Sequence, residues 1–160
     1  MARPKASSKK ISKPEHDEAS VEYQRGMNEI RKQLGPMADS YIEKIKALAP
    51  EFAWVNVTFP FGELYARDVL DLKTRELCTV AALTVQGFSL PELKLHIHAA
   101  LRCGASREEV IEVITQMIAY CGFPAATNAL MTMKEVFDEI DAGAKKNTKR
   151  KKNIRAGARK

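Results

Sequence analysis

From Asp71 onward the chain repeats one arrangement: a residue suited to capping a helix, then apolar positions three and four apart, then a glycine. This is the pattern of short amphipathic helices that share one core. Asp71 can cap a helix running through Thr74 to Gln86, closed by Gly87, with Leu77, Val80, Ala81 and Thr84 as its apolar stripe and Glu76 on the stripe's margin. Ser89 with Glu92 three residues on resembles a capping box, Pro91 fits a first turn, and that helix ends at Gly104. Ser106 with Glu109 repeats the signature for a helix reaching about Tyr120. Gly122-Phe123-Pro124 breaks the chain before a last helix from about Ala125 to Ile140, and Asp141-Ala142-Gly143 is expected to end the ordered part.

Before Asp71 the pattern is weaker. A helix is expected from the acidic cluster Glu15–Glu18 through VEYQRGMNEIRKQL to Gly35-Pro36, with Val21, Ile30 and Leu34 giving only a modest stripe. A second spans about 37 to 48 and stops before Pro50. PEFAWVNVTFPFGELYAR opens with a proline suited to a first turn, and Pro60 should kink or interrupt it. Its WVNVTF stretch leans weakly toward β, but no second strand is in view to pair with it. The architecture predicted is all-α, about six helices.

Composition narrows the class. With 160 residues, 45% hydrophobic and 29% charged, the chain reads as one globular domain with tails. Its longest apolar runs, such as Leu77 to Val85, are far short of a bilayer span, and MARPKASSKK has no apolar segment behind it to make a secretory signal. Cys78, Cys103 and Cys121 are odd in number and lack CxxC spacing, so small core residues in a reducing cytoplasm are expected rather than a disulfide framework or a zinc site. The net charge of +6 is unevenly placed. Residues 1–14 hold five Lys or Arg and 145–160 hold nine, with no acid in either; 15–144 hold the other 12 basic residues against all 20 acids. An acidic body of about −8 is thus flanked by two basic arms, both expected to be disordered, which sets the domain at 15–144.

PELKLHIHAALRCG carries two histidines two positions apart, so they cannot face the same pocket. At about 100° per residue, Leu93, Ile97, Ala100 and Leu101 form one stripe; His96 lies on its edge and His98 about 140° from Leu93. His96 is therefore the inward or cleft-facing one, with Glu92 and Cys103 on the same edge, and His98 belongs to the surface. A half-buried structural histidine would satisfy the pattern equally, and Glu76 in a first turn would ordinarily just complement the helix dipole. Leu95, on the far side of the stripe, hints at a partner surface.

The combination says more than its parts. LDLKTRE (Leu70–Glu76), the helix with His96, the HAALRCGAS-EEV stretch and YCGFPAA (Tyr120–Ala126) occur in an order and spacing that resemble the carboxymuconolactone decarboxylase family. That superfamily also holds the alkylhydroperoxidase-D-like proteins, and the resemblance covers about residues 45 to 137. It implies a small all-α subunit whose helices pair between chains, commonly in hexameric rings, so a homo-oligomer, hexamer or trimer, is expected. Peroxidase-type members carry a Cys-x-x-Cys pair shortly before the histidine. Here the matching positions are Ser89 and Glu92, so that chemistry lacks its thiols.

The resemblance then points to the decarboxylase branch, which removes CO2 from 4-carboxymuconolactone to give 3-oxoadipate enol-lactone in aromatic catabolism and needs no metal or organic cofactor. It implies His96 as proton donor, with Glu76 or Glu92 holding its tautomer or relaying protons. The anionic lactone or keto-acid substrate needs a cation, for which Arg67 and Arg75 are the candidates. Tyr120, Cys121, Phe123 and Pro124 are expected to form an apolar wall. Tyr65 departs from the tryptophan common in this branch.

Two rival readings remain open. KKNTKRKKNIRAGARK could be a solubilising tail or dock on the acidic body of a neighbouring subunit; it could also contact nucleic acid or another anionic surface, making the protein a non-enzymatic oligomeric binding module. A thiol-dependent peroxidase or redox protein using Cys103 or Cys121 with His96 would need a thiol of low pKa.

Overall fold

The computed structural model describes residues 16–157, and all regular structure among them is helical. The chain runs through α1 (Val21–Leu34), a 3-10 turn (Gly35–Met37), α2 (Ala38–Leu48), α3 (Pro50–Asn56) with a π-helical continuation (Val57–Tyr65), α4 (Leu72–Gln86), α5 (Leu90–Arg102), α6 (Arg107–Gln116) and α7 (Ile118–Gly157). Among the described residues, no helix is long and apolar enough to cross a membrane.

The C-terminal half follows the sequence pattern closely. Asp71 accepts a hydrogen bond from the Thr74 amide, and Gly87 closes α4 in the left-handed conformation (φ 73°). Ser106 and Glu109 form the reciprocal capping box of α6. The buried faces of α4 to α7 meet in one cluster of Val80, Leu93, Ile97, Ala100, Val110, Ile114, Ala129 and Val136. The resemblance of Ser89 and Glu92 to a capping box is not realised: Ser89 bonds to the Gln86 side chain instead, and Glu92 is exposed. The break at Gly122 (φ 74°, ψ 172°) is realised inside α7.

The N-terminal half is where the pattern misleads. WVNVTF is helical, and Pro60 is absorbed by widening the helix into π turns rather than ending it. α1 begins at Val21 under a Ser20 cap, and its buried face is Tyr23, Gly26, Met27, Ile30, Gln33 and Leu34, whereas Val21 is exposed. This face lies along the π segment and builds a second cluster with Ala38, Ile42, Val57 and Ala99. Leu95 packs against it beside Tyr41, Trp54 and Phe61, so its off-stripe position is answered within the chain.

α7 also differs from expectation. Helix continues past Asp141-Ala142-Gly143 to Gly157, and every residue from Glu139 to Lys146 is exposed. Up to Asp141 the helix is tied down, by Lys94–Glu139 and by Arg107, which pairs with Asp141 and lies over Phe137. Residues 1–15, including the basic N-terminal arm, lie outside the described residues.

α1 approaches the π segment closely enough to exclude a side chain. A Cβ on Gly26 would stand 2.1 Å from the Val57 carbonyl oxygen, which is backbone and cannot swing away. Gly26→Ala is expected to lower stability by about 1–3 kcal/mol, read by urea unfolding, despite alanine's better helix propensity. A neutral or stabilising result would mean that the two segments are not in this contact.

Candidate active site

Burial on α4 follows one row, Glu76, Val80 and Thr84, each four residues from the last. Glu76 therefore sits at the centre of the inward face rather than at its margin. Its side chain is 0% exposed, a costly place for a carboxylate unless it is compensated. Compensation comes from α5: His96 Nδ1 lies 2.7 Å from Glu76 Oε2. A carboxylate there makes Nδ1–H the donor and turns Nε2 outward, and the ring is one-fifth exposed.

The other Glu76 oxygen, Oε1, is buried without a hydrogen-bond partner among the described residues. The Tyr65 phenol, at the end of the π segment, stands beside this carboxyl and reaches Thr79 Oγ1 at 2.8 Å. Thr79 in turn donates to the Arg75 carbonyl at 3.0 Å. Thr79 has one hydroxyl proton, so in this arrangement Tyr65 must donate to Thr79, leaving Oε1 free. Burial and the neighbouring Glu76 charge push the Tyr65 hydroxyl up to about 12, so it remains a neutral donor. Cys103, at the end of α5, is pushed up to about 11 by burial and then by Glu76.

The other sequence-derived candidates divide. Glu92 makes no hydrogen bond to His96, so Glu76 is the partner. His98 is part-buried and faces Glu139 on α7 at 3.3 Å. Arg75 is a brace: its guanidinium donates to the Leu70 and Arg67 carbonyls at 3.2 and 2.9 Å. The loop it holds carries Arg67, which is exposed, forms no ion pair among the described residues, and lines an open cleft of mixed charge with Glu29, Lys32, Tyr65, Asp68 and Asp71. Tyr120 and Phe123 are each 71% exposed and form no wall over the pair within one protomer. Cys78 is exposed rather than a core residue. Tyr65 and Thr79 were not legible as site residues, because the π turns that deliver Tyr65 have no sequence period of their own. Among the described residues, no group of three His, Cys, Asp or Glu side chains is arranged to hold a metal ion.

The sequence profile of the carboxymuconolactone decarboxylase family matches residues 50–135, a stretch that begins at the first residue of α3 and contains Tyr65, Glu76, Thr79, His96 and Cys103. The chain belongs to that family. It is 33% identical over 115 residues to an uncharacterised 15.0 kDa protein from the nqo9–nqo10 intergenic region of Paracoccus denitrificans, covering 71% of this chain and 86% of that one. It is also 28% identical over 128 residues to a 4-carboxymuconolactone decarboxylase of Acinetobacter baylyi, covering 79% of this chain and 95% of the relative. Within the matched residues the candidate site is a histidine held by a buried glutamate, with a neutral phenol alongside.

A raised Cys103 opposes a thiolate mechanism, since the thiolate is the nucleophile. The ordinary thiol value is 9.0, so the native thiol should stay protonated at neutral pH and react with iodoacetamide along a curve centred near 11. Mass spectrometry of the Cys103 peptide after brief pulses across pH 7–12 checks this. A midpoint below 8 would revive the redox reading.

Proposed function

We propose that this chain is a carboxy-lyase acting on 4-carboxymuconolactone or a related unsaturated lactone or β-keto acid. The Glu76–His96 hydrogen bond in a buried position is the observation that carries the proposal. The family membership and the decarboxylase relative support its reaction class. In the reaction the C–CO2 bond breaks and its electron pair delocalises into the unsaturated lactone. His96, carrying a proton on Nε2, delivers it to carbon and is left as the Nδ1–H imidazole that Glu76 holds. The two steps need only positioned acid and charge stabilisation, so the scheme calls for no cofactor.

Arg67 is the proposed anchor for a substrate carboxylate, because it is unpaired among the described residues and lines a cleft that reaches Tyr65, the neighbour of Glu76. Tyr65 holds its hydroxyl where it can turn from Thr79 to Glu76 Oε1 and steady the carboxylate as the histidine gives up its proton. The protein is further proposed to act as a homo-oligomer, trimer or hexamer. The support is apolar surface at the α4–α7 junction, where Gly87 lies against Ala125 and Val85, Phe88, Tyr120 and Phe123 are exposed. A second copy would cover that junction.

Carbon dioxide release from 4-carboxymuconolactone tests the reaction. His96→Gln should lower kcat at least a hundredfold, the usual worth of a general acid, while His98→Gln and Glu92→Gln stay within a few-fold of wild type. Arg67→Ala should raise KM with little change in kcat. A folded wild type that releases no CO2 would remove the named reaction. Equal losses from both histidine changes would remove His96 as donor.

Oligomerisation is read separately by light scattering on the eluting protein. Phe123→Glu should reduce the assembled mass toward 17.9 kDa, the mass of one chain. A wild type that already elutes at that mass would overturn the assembly.

A further inference from the structure

The end of α7 serves no part of the site. After Asp141 the helix has left the body, with Ala142 to Lys146 and Thr148 all exposed, yet it continues to Gly157. Its Lys, Arg and Ala residues are good helix formers, but the placement of its charges opposes a free helix. Lys145 and Lys149, Lys146 and Arg150, and Lys151 and Arg155 fall four apart, the spacing at which like charges repel on a helix, and Gly143, Asn147 and Asn153 are poor helix formers. A helix with these pairs is favoured when an anionic partner neutralises them.

The composition narrows that partner. Past Asp141 there is no acidic residue, and between Lys145 and Gly157 seven of thirteen positions are Lys or Arg. Ile154 is the one large apolar residue there, which leaves no face to enter a lipid interface. No aromatic residue follows Phe137, so unpaired bases would find no stacking platform. Asp141 to Gly157 as helix spans roughly 25 Å at the standard rise. Duplex DNA offers a negative charge about every 1.7 Å of its axis. The body, with its excess of acids, adds no attraction of its own.

We infer that the C-terminal end of α7 is a docking helix for duplex nucleic acid, bound through its phosphates and without regard to sequence. This is independent of the carboxy-lyase reading.

The test is fluorescence anisotropy of full-length protein with a labelled 30-base-pair DNA at 50 and 200 mM KCl. Two unrelated sequences are compared, beside anionic and neutral phospholipid vesicles. If about six phosphates are neutralised, affinity should fall on the order of a thousandfold between the two salts and be alike for both sequences. The full chain carrying Lys145→Gln, Lys146→Gln, Lys149→Gln and Arg150→Gln should lose at least tenfold in affinity at 50 mM while keeping its thermal unfolding midpoint. The inference is overturned by no binding to DNA at 50 mM KCl, by equal binding of the glutamine variant, or by retention on anionic vesicles with none on DNA.

Discussion

A carboxylate with no solvent contact is the constraint around which this molecule is arranged. Water would stabilise Glu76 far better than hydrocarbon does, so burial there requires compensation, and His96 is the partner that provides it. Meeting that need fixes how α4 and α5 lie against each other. Glu76 leads the row that continues through Val80 and Thr84, and His96 stands one residue before Ile97, at the core of the same packing. The polar pair is therefore held by apolar residues whose rotamers leave little room for adjustment. Taking away the imidazole would leave the carboxylate buried with neither oxygen satisfied among the described residues, so the pair is structural as well as the proposed centre of the chemistry.

The N-terminal helices matter to the site because they bring Tyr65. α1 and the π segment approach until the Gly26 backbone meets the Val57 carbonyl, and the segment ends at Tyr65, whose phenol stands beside Glu76. Arg75, one residue before Glu76, reaches back to the carbonyls of Arg67 and Leu70 and holds the following loop. A single stretch from Tyr65 to Thr79 thus supplies a neutral donor, a cation unpaired among the described residues, a brace and the buried acid. Charge is divided along the chain as well, with an acidic body around the site and a cationic helix leading away from it.

Much of the C-terminal half was legible because its signals are local. Caps at Asp71 and Ser106, a left-handed glycine at 87 and apolar positions at helical spacing each act within a few residues. His96 could be told from His98 by angle alone, and Ser89 and Glu92 stand where the family resemblance would put a peroxidase's thiols. The N-terminal half resisted because its helices depend on what they touch. WVNVTF contains β-branched residues that lean toward strand in isolation, and packing against α1 overrides that preference. Leu95 looked unpartnered for the same reason: the residues that cover it lie more than 30 positions away in sequence.

By itself the sequence determined the all-α class, the four C-terminal helices, the inward histidine and the separation of charge between body and tails, because each follows from periodicity, capping chemistry or composition. It left open whether Glu76 or Glu92 serves the histidine. The two acids were equally plausible on helical wheels, since a wheel describes one helix and the choice depends on how two helices cross. Only the tertiary structure decided it. The packing of α4 on α5 buries Glu76 against His96 and leaves Glu92 in solvent, and the approach of the π segment adds Tyr65. These are long-range contacts between segments with no shared local signal, so no pattern within either segment could have contained them.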